Sequence, residues 1–442
     1  MASHHDEYQV QPGRIFTKPF FILLAFVIVG FGLIAYRFFA GVGAVTALSD
    51  GFPWGIWIAY DVATGTAFAC GGYALALMIY IMNRWKYHPL IRSAILTSVF
   101  GYCLAGFSVV VDLGRYWNAY SFFMPSRWQA NSIMFEVALC VMSYSTVLII
   151  EFLPAILHTL EHSKWRWIRE SSHWLYPRLL ANEQTLISGI TTVSKVAGHV
   201  QGRLDKVLIF FIVLGITLPS MHQSSLGSMM IIAGEKLSPL WQTGFLPLLF
   251  LLNCMFIGYA TVMFESVVSS YSFKRSFEVH ELSGLAKIVP MIAGIWMAVR
   301  FGDLIWRNQI PNIFNFDMNS WFFLLEVALI GGGAFLLLSK KNRLSPRMLF
   351  VTGVMLMFGG GLYRFNVYLI GFNPGEGWSY FPSVAEFLIT VGIVALEILG
   401  YLTLVKIFPV MPNPNKHYPE EVEEVVEEPV GDVVPSRVFV GK

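Results

Sequence analysis

Apolar runs of about 20 residues recur ten times along this chain, and that is the length an α-helix needs to cross the hydrocarbon of a bilayer. They cover roughly 19–40, 54–82, 90–111, 131–157, 204–232, 245–268, 286–306, 321–338, 348–371 and 381–408. Each run is continuous and far longer than the alternating strands of a transmembrane barrel. Of 442 residues, 55% are apolar and 13% charged, so little polar surface is available for a water-soluble fold of this size. Trp54, Trp85, Trp128, Trp241, Trp306, Trp321 and Trp378 fall at run ends, where indole rings anchor helices at the interface. The chain reads as an all-α integral membrane protein with about ten transmembrane helices. Its first run, Phe20 to Ala40, is too long for a cleaved signal peptide and is expected to be a retained helix.

A net charge of +2 gives no support to nucleic-acid binding. Cys70, Cys103, Cys140 and Cys254 are isolated and lie in predicted spans, so no iron–sulfur or zinc site is expected in this chain. Alternate connections carry sixteen Lys and Arg, against five (Arg37, Arg115, Arg127, Lys236, Arg307) in the others. The positive-inside rule then places both termini in the cytoplasm, as a multi-pass protein of a bacterial inner membrane.

A weak internal repeat suggests how the spans are grouped. Asn131-Ser-Ile-Met-Phe-Glu136 resembles Asn319-Ser-Trp-Phe-Phe-Leu-Leu-Glu326, and Asp112-Leu precedes the first as Asp303-Leu precedes the second. Two pseudo-repeated four-helix bundles with a flanking helix at each end follow. The expected divisions are a cytoplasmic N-terminus with the first helix (1–53), the first bundle (54–232), the second bundle (245–371), the last helix (381–408) and an acidic, disordered cytoplasmic tail (413–442). The basic, Trp-containing loop 158–203 within the first bundle reads as a helix lying on the inner leaflet.

The stretch from Ser108 to Cys140 gathers Asp112, Arg115, Tyr116, Trp117 and Glu136 at the outer membrane edge. Charges there are costly unless paired or used. His222 lies in Leu218-Pro-Ser-Met-His-Gln-Ser-Ser, where Pro219 and the serines suggest a broken helix, with Gln223 beside it. Arg300, Asp303, Glu326, Arg364 and Glu386 also sit in the outer half, while Asp61, Glu397, Glu265 and Glu151 lie deeper. A quinone needs an apolar slot, donors for its two oxygens and groups that exchange protons as electrons move. Asp112, Arg115, Tyr116 and His222 have that chemistry, with Gln223 beside them and Phe107, Trp117 and Trp54 available as ring walls. The competing readings are an interfacial ion pair for Asp112 and Arg115, belt aromatics for Tyr116 and Trp117, and a solvated helix end for Glu151. A membrane b-haem takes a histidine from each of two helices, and His222 is the only histidine in a predicted span. No haem and no metal are therefore expected in this chain.

Several stretches carry a resemblance: Gly51-Phe-Pro-Trp-Gly-Ile-Trp-Ile-Ala, Phe68-Ala-Cys-Gly-Gly, Asp112-Leu-Gly-Arg-Tyr-Trp-Asn, Pro219-Ser-Met-His-Gln-Ser-Ser-Leu-Gly-Ser, Pro239-Leu-Trp-Gln, Arg300-Phe-Gly-Asp-Leu-Ile and Phe372-Asn-Pro-Gly. Between about Ile15 and Pro412 the chain resembles HybB-type membrane subunits of [NiFe]-hydrogenases, within the NrfD/PsrC superfamily. The resemblance implies a quinone-reactive anchor that is inactive alone. Its partners would be a ferredoxin-like iron–sulfur subunit and the large and small subunits of a periplasmic [NiFe]-hydrogenase, and its substrate menaquinone or ubiquinone. It also implies proton conduction by Glu136, His222 and Glu265 and quinone access near Asp112, Arg115 and Tyr116. Arg300, Asp303 and Glu326 are added as candidates for the proton path. The alternatives are a molybdopterin or multihaem cytochrome donor on the same kind of anchor, or a secondary transporter, since midplane charges in a repeated fold suit both.

Overall fold

The computed structural model describes residues 8–162 and 189–413. Among them ten helices are long and apolar enough to cross a membrane: α1 (Lys18–Ala40), α2 (Trp57–Ile81), α3 (Trp85–Asp112), α4 (Ile133–Ile156), α5 (Ile209–Ile231), α6 (Leu246–Ser272), α7 (Val279–Trp306), α8 (Met318–Leu338), α9 (Pro346–Ile370) and α10 (Val384–Leu404). This is an all-α, multi-pass integral membrane protein. The expected tail lies outside the described residues apart from its first, and so does 163–188 of the basic loop. Residues 189–203 are helical and continue directly into α5, so that part of the loop is not a separate helix.

Two helices form the centre. α2 and α6 are buried along most of their length, while α1 is largely exposed on the outside of the bundle. Their close approach depends on Gly258: a Cβ there would lie 2.7 Å from the Cys70 carbonyl oxygen. Around this pair α6 also packs on α5, α7 and α9, α4 packs on α5, and α8 on α9. α1 crosses α10 at Gly30 and Gly392, where a Cβ on either would lie 2.8 Å from the other's Cα. Close backbone approach at small residues is how helices gain dispersion contacts in lipid, where the hydrophobic effect does not drive them together.

Passing the chain through ten spans puts the connections following α1, α3, α5, α7 and α9 on one face, termed the Asp112 face. Both ends of the described chain lie on the other. There β1 (Tyr8–Gln9) pairs antiparallel with β2 (Met411–Pro412), with Tyr8 opposite Pro412. Arg275, just after α6, donates to the Pro412 carbonyl at 3.0 Å and ties this terminal face together.

α2 is not a regular α-helix. Trp57–Val62 and Leu77–Ile81 are wound as π-helix. Thr64 and Thr66 hydroxyls donate back to the Ala59 and Val62 carbonyls at 2.9 and 2.6 Å, and the Ala63 carbonyl accepts from Arg364 at 2.8 Å. Side chains and a neighbouring helix thus take carbonyls that the widened turns leave available.

Candidate functional site

The residues selected from sequence occupy several separate places. Asp112 ends α3, with its carboxylate within electrostatic range of Arg37 and Glu386 and its Oδ1 buried without a hydrogen-bond partner among the described residues. Arg37 was counted among the connections, but the structure places it on α1, fully buried. Its guanidinium donates to the Leu113 carbonyl and lies 5.3 Å from the centre of the Tyr116 ring, whose hydroxyl donates to the Phe38 carbonyl at 3.2 Å. Trp117 packs edge-on against Tyr116 and is otherwise exposed, as is Arg115.

His222 and Gln223 lie elsewhere, in the interior. α5 runs through Pro219 without a break, contrary to the broken helix expected there, because a proline removes only one intrahelical bond and packed neighbours keep the helix in register. His222 Nε2 is 3.3 Å from Thr66 Oγ1, and Gln223 Nε2 donates to Thr66 Oγ1 at 3.1 Å and to the Tyr102 hydroxyl at 3.2 Å. Tyr102 had no signal in the sequence; only packing puts its ring 5.7 Å from that of His222. Tyr102 precedes Asp112 by ten residues on α3, an axial rise of about 15 Å. Asp112 and His222 therefore do not share one pocket.

Glu136 is half-buried and accepts from Ser225 at 2.7 Å. Glu326 is fully buried: it accepts from Asn366 at 2.6 Å, from Trp241 at 3.1 and 3.2 Å, and from Arg300 at 3.4 Å. Asp303 instead pairs with Arg307 one turn on, at 2.5 Å. Glu265 lies towards the terminal face, accepting from Tyr401 at 2.5 Å and from Thr97 at 2.9 Å.

Two cavities stand among these groups. The larger, about 1080 Å³, opens on the Asp112 face between the α5–α6, α7–α8 and α9–α10 connections. Phe52, Phe372, Trp378 and Tyr380 supply aromatic wall, and Lys236, Asn312, Asn319 and Asn373 supply polar groups. Its rim is held by backbone bonds from Ser238 to Gly371 and from Asn373 to Lys236, both 2.7 Å. Trp241 packs against Gly371, which places the Glu326 cluster directly beneath this cavity. The Tyr380 hydroxyl donates to Glu386 at 2.7 Å, and Glu386 also accepts from the Ala47 and Ser383 amides at 2.9 and 2.8 Å. Burial and this bond to a carboxylate both raise the pKa of the Tyr380 phenol, which stays protonated as a donor. Asp112 lies within electrostatic range of both Tyr380 and Glu386. The smaller cavity, about 530 Å³, is a slot between α2, α3, α6, α9 and α10, mostly apolar but carrying Glu265, Glu397 and Tyr401. Neither cavity is lined by Asp112 or His222.

A ten-span helical chain with buried ionic groups and an aromatic cavity at one face fits several membrane families; the comparison of sequences decides between them. The profile of the family described as "Polysulphide reductase, NrfD" matches residues 44–373. The chain belongs to the NrfD family. Among NrfD-like relatives it is 37% identical over 425 residues, 95% of this chain and 99% of the other, to the "Probable Ni/Fe-hydrogenase 2 b-type cytochrome subunit" of Escherichia coli (strain K12). It is 26% identical, over 90% of this chain and 94% of the other, to the "Menaquinone reductase, integral membrane subunit" of Nitratidesulfovibrio vulgaris.

The first of these names corrects an expectation. A b-type cytochrome subunit points to haem, which contradicts the sequence-based reading that this chain carries none. That reading required two histidines in two predicted spans, a count that considers one mode of ligation only. His222 has the atom such a group would use, a buried Nδ1 with no hydrogen-bond partner. His88 and His280 stand at the terminal-face starts of α3 and α7, His88 beside Tyr8 and His280 exposed. Among the histidines of this NrfD protein whose side chains are described, His222 is the one that offers a buried ring nitrogen without a hydrogen-bond partner.

Proposed function

We propose that this chain is the quinone-linked membrane anchor of a bacterial respiratory oxidoreductase. It takes electrons from a periplasmic [NiFe]-hydrogenase through an iron–sulfur subunit docked on the Asp112 face and reduces menaquinone or ubiquinone. The observation that carries this reading is the cavity on that face. It is roughly the size of sites that bury a small ligand, with aromatic walls for a ring and a rim of polar side chains, Lys236, Asn312, Asn319 and Asn373 among them, that can orient it. Relatives named as a hydrogenase membrane subunit and a menaquinone reductase membrane subunit support the same partnership. The Tyr380 hydroxyl on the cavity wall is held by its bond to Glu386, and Asp112 lies within electrostatic range of Tyr380, Glu386 and Arg37. The excess of Lys and Arg in alternate connections supports a reading with both termini on the cytoplasmic side of the inner membrane and the Asp112 face outside.

The test is purification of the native complex, identification of its co-purifying subunits, and hydrogen-dependent reduction of a soluble menaquinone analogue. An iron–sulfur subunit and quinone reduction are expected. A chain that purifies alone and carries a polar solute across vesicles would be a transporter instead.

A further inference from the structure

The smaller cavity has no part in the functional reading above, yet its lining has the features of a ligand site. α10 packs on α1 and α3, and the slot runs between it and the α6–α9 pair. Val268, Phe358 and Ile398 line the slot and are 37%, 69% and 45% exposed, so its mouth opens sideways, among the spans, to lipid. The volume of about 530 Å³ lies within the roughly 300–1,000 Å³ of sites that bury a small ligand. Phe68 and Phe264 supply ring surface inside. Phe68 can rest against α9 because residue 361 is glycine, where a Cβ would lie 3.1 Å from Phe68 Cζ.

Two polar groups in this apolar slot lack partners. Thr261 is 6% exposed and its hydroxyl is buried with no hydrogen-bond partner among the described residues; the Glu397 carboxyl makes no hydrogen bond among them either. By contrast Thr64, Thr97 and Ser269, on the same lining, donate to the Ala59 carbonyl, to Glu265 and to the Ser266 carbonyl. The Glu265–Tyr401 bond sets the register of α6 against α10. Thr261 precedes Glu265 by four residues, and Glu397 precedes Tyr401 by four, on helices that both start from the Asp112 face. Each therefore stands about 6 Å nearer that face than the bonded pair, and the two are level with one another.

An unpaired polar group away from water is costly, and an acyl chain entering from lipid would pair with neither of these. A flat apolar ring with an oxygen at each end satisfies both, and its hydrocarbon tail can leave by the mouth. We propose that the slot binds a second molecule of the quinone class, its two ring oxygens held by Thr261 and Glu397. Thr261 is fifteen residues into α6 from Leu246, about 22 Å below the Asp112 face, so this site is distinct from the larger cavity. Its hydroxyl donates to one ring oxygen. Glu397 serves the other, donating to a quinone when protonated and accepting from a quinol when ionised. The lining alone calls for a ring with two oxygens; that this ring is a quinone rests on the functional reading above.

The test is photolabelling of the whole purified complex with an azido-naphthoquinone carrying a short prenyl tail, read by peptide mass spectrometry, with hydrogen-dependent quinone reduction assayed in parallel. Adducts are expected on the slot segments Thr261–Val268 and Val394–Leu402 as well as in the larger cavity; Phe365 lines both cavities and is left out of the comparison. An excess of unlabelled menaquinone analogue should remove the slot adducts. Thr261→Val should weaken them by up to about tenfold, the effect of one hydrogen bond. Val268→Trp, which plugs the mouth from an exposed position, should abolish them and leave the larger cavity labelled as in the parent. No slot adducts, slot adducts removed by oleate but not by the quinone analogue, or slot adducts at the parental level in both variants overturn the proposal. Slot adducts with the expected variant pattern in a complex that reduces no quinone overturn the functional reading and leave this site in place.

Discussion

Arg300 on α7 and Glu326 on α8 face each other at 3.4 Å with neither side chain accessible to solvent. The guanidinium also lies over the rings of Phe323 and Tyr363, at 5.1 and 5.5 Å, and the carboxylate has Trp241 and Asn366 as further donors. Removing the cation alone would leave the anion buried, a change that costs about 3–5 kcal/mol in soluble proteins. Arg300→Met should therefore lower the unfolding temperature of the detergent-purified complex markedly, and the double variant Arg300→Met/Glu326→Gln should recover part of the loss. An Arg300→Met complex that melts with the parent would show that the pair contributes nothing.

Asp112 and the contact between Tyr102 and His222 lie ten residues, roughly 15 Å, apart along α3. Substitutions at independent sites add to within about 0.5 kcal/mol. Asp112→Asn and His222→Ala should thus be additive in thermal stability, whereas Tyr102→Phe and Gln223→Leu, which share a hydrogen bond, should couple by about 0.5 kcal/mol or more. Strong coupling between Asp112 and His222 would restore the single pocket expected from sequence.

Trp378 lies flat against Gly51 on the wall of the larger cavity, with no space for a Cβ between them. An aromatic contact is worth about 0.5–1.5 kcal/mol beyond its buried area. Trp378→Ala should raise the KM for a quinone analogue up to about tenfold with less effect on kcat, and Gly51→Ala, which pushes the indole aside, should act in the same direction. Steady-state kinetics that leave KM at the parental value for both variants would place the ring elsewhere.

The N-cap of α8 gives a prediction about pH. Asp317 accepts from the Ser320 amide at 2.8 Å and from its hydroxyl at 2.7 Å, and these bonds hold its pKa below the usual carboxylate value. The cap's stabilisation is present above the unfolded pKa of about 3.9 and is lost as pH falls through the lower folded value. Asp317→Ala should cost about 1 kcal/mol at neutral pH. Melting curves of parent and variant should converge under strongly acidic conditions; a constant gap would refute the assignment.

The ten helices were legible in the chain because a bilayer imposes length and apolarity on each span separately, so a hydropathy run carries its own answer. Family membership was legible for a similar reason, in contiguous stretches such as Asp112-Leu-Gly-Arg and Pro219-Ser-Met-His. Pro219 misled, because whether a proline breaks a helix depends on what packs around it. Arg37 was hidden: its number places it near a connection, and only the meeting of α1 with the end of α3 makes it a buried cation beside Asp112. Tyr102 carried no local signal; Asp61 and Glu397 stood out as charges deep in their spans, but nothing local showed what they would meet.

By itself, then, the amino-acid order determined that the protein crosses the membrane as helices, which residues would be costly there, and the relatives it resembles. The tertiary structure alone decided which of those costly residues meet. Helices in lipid associate through close packing at small residues and satisfied polar contacts, which are properties of pairs of helices, so no single span records that Asp61 lies beside Thr390 or that His222 lies apart from Asp112.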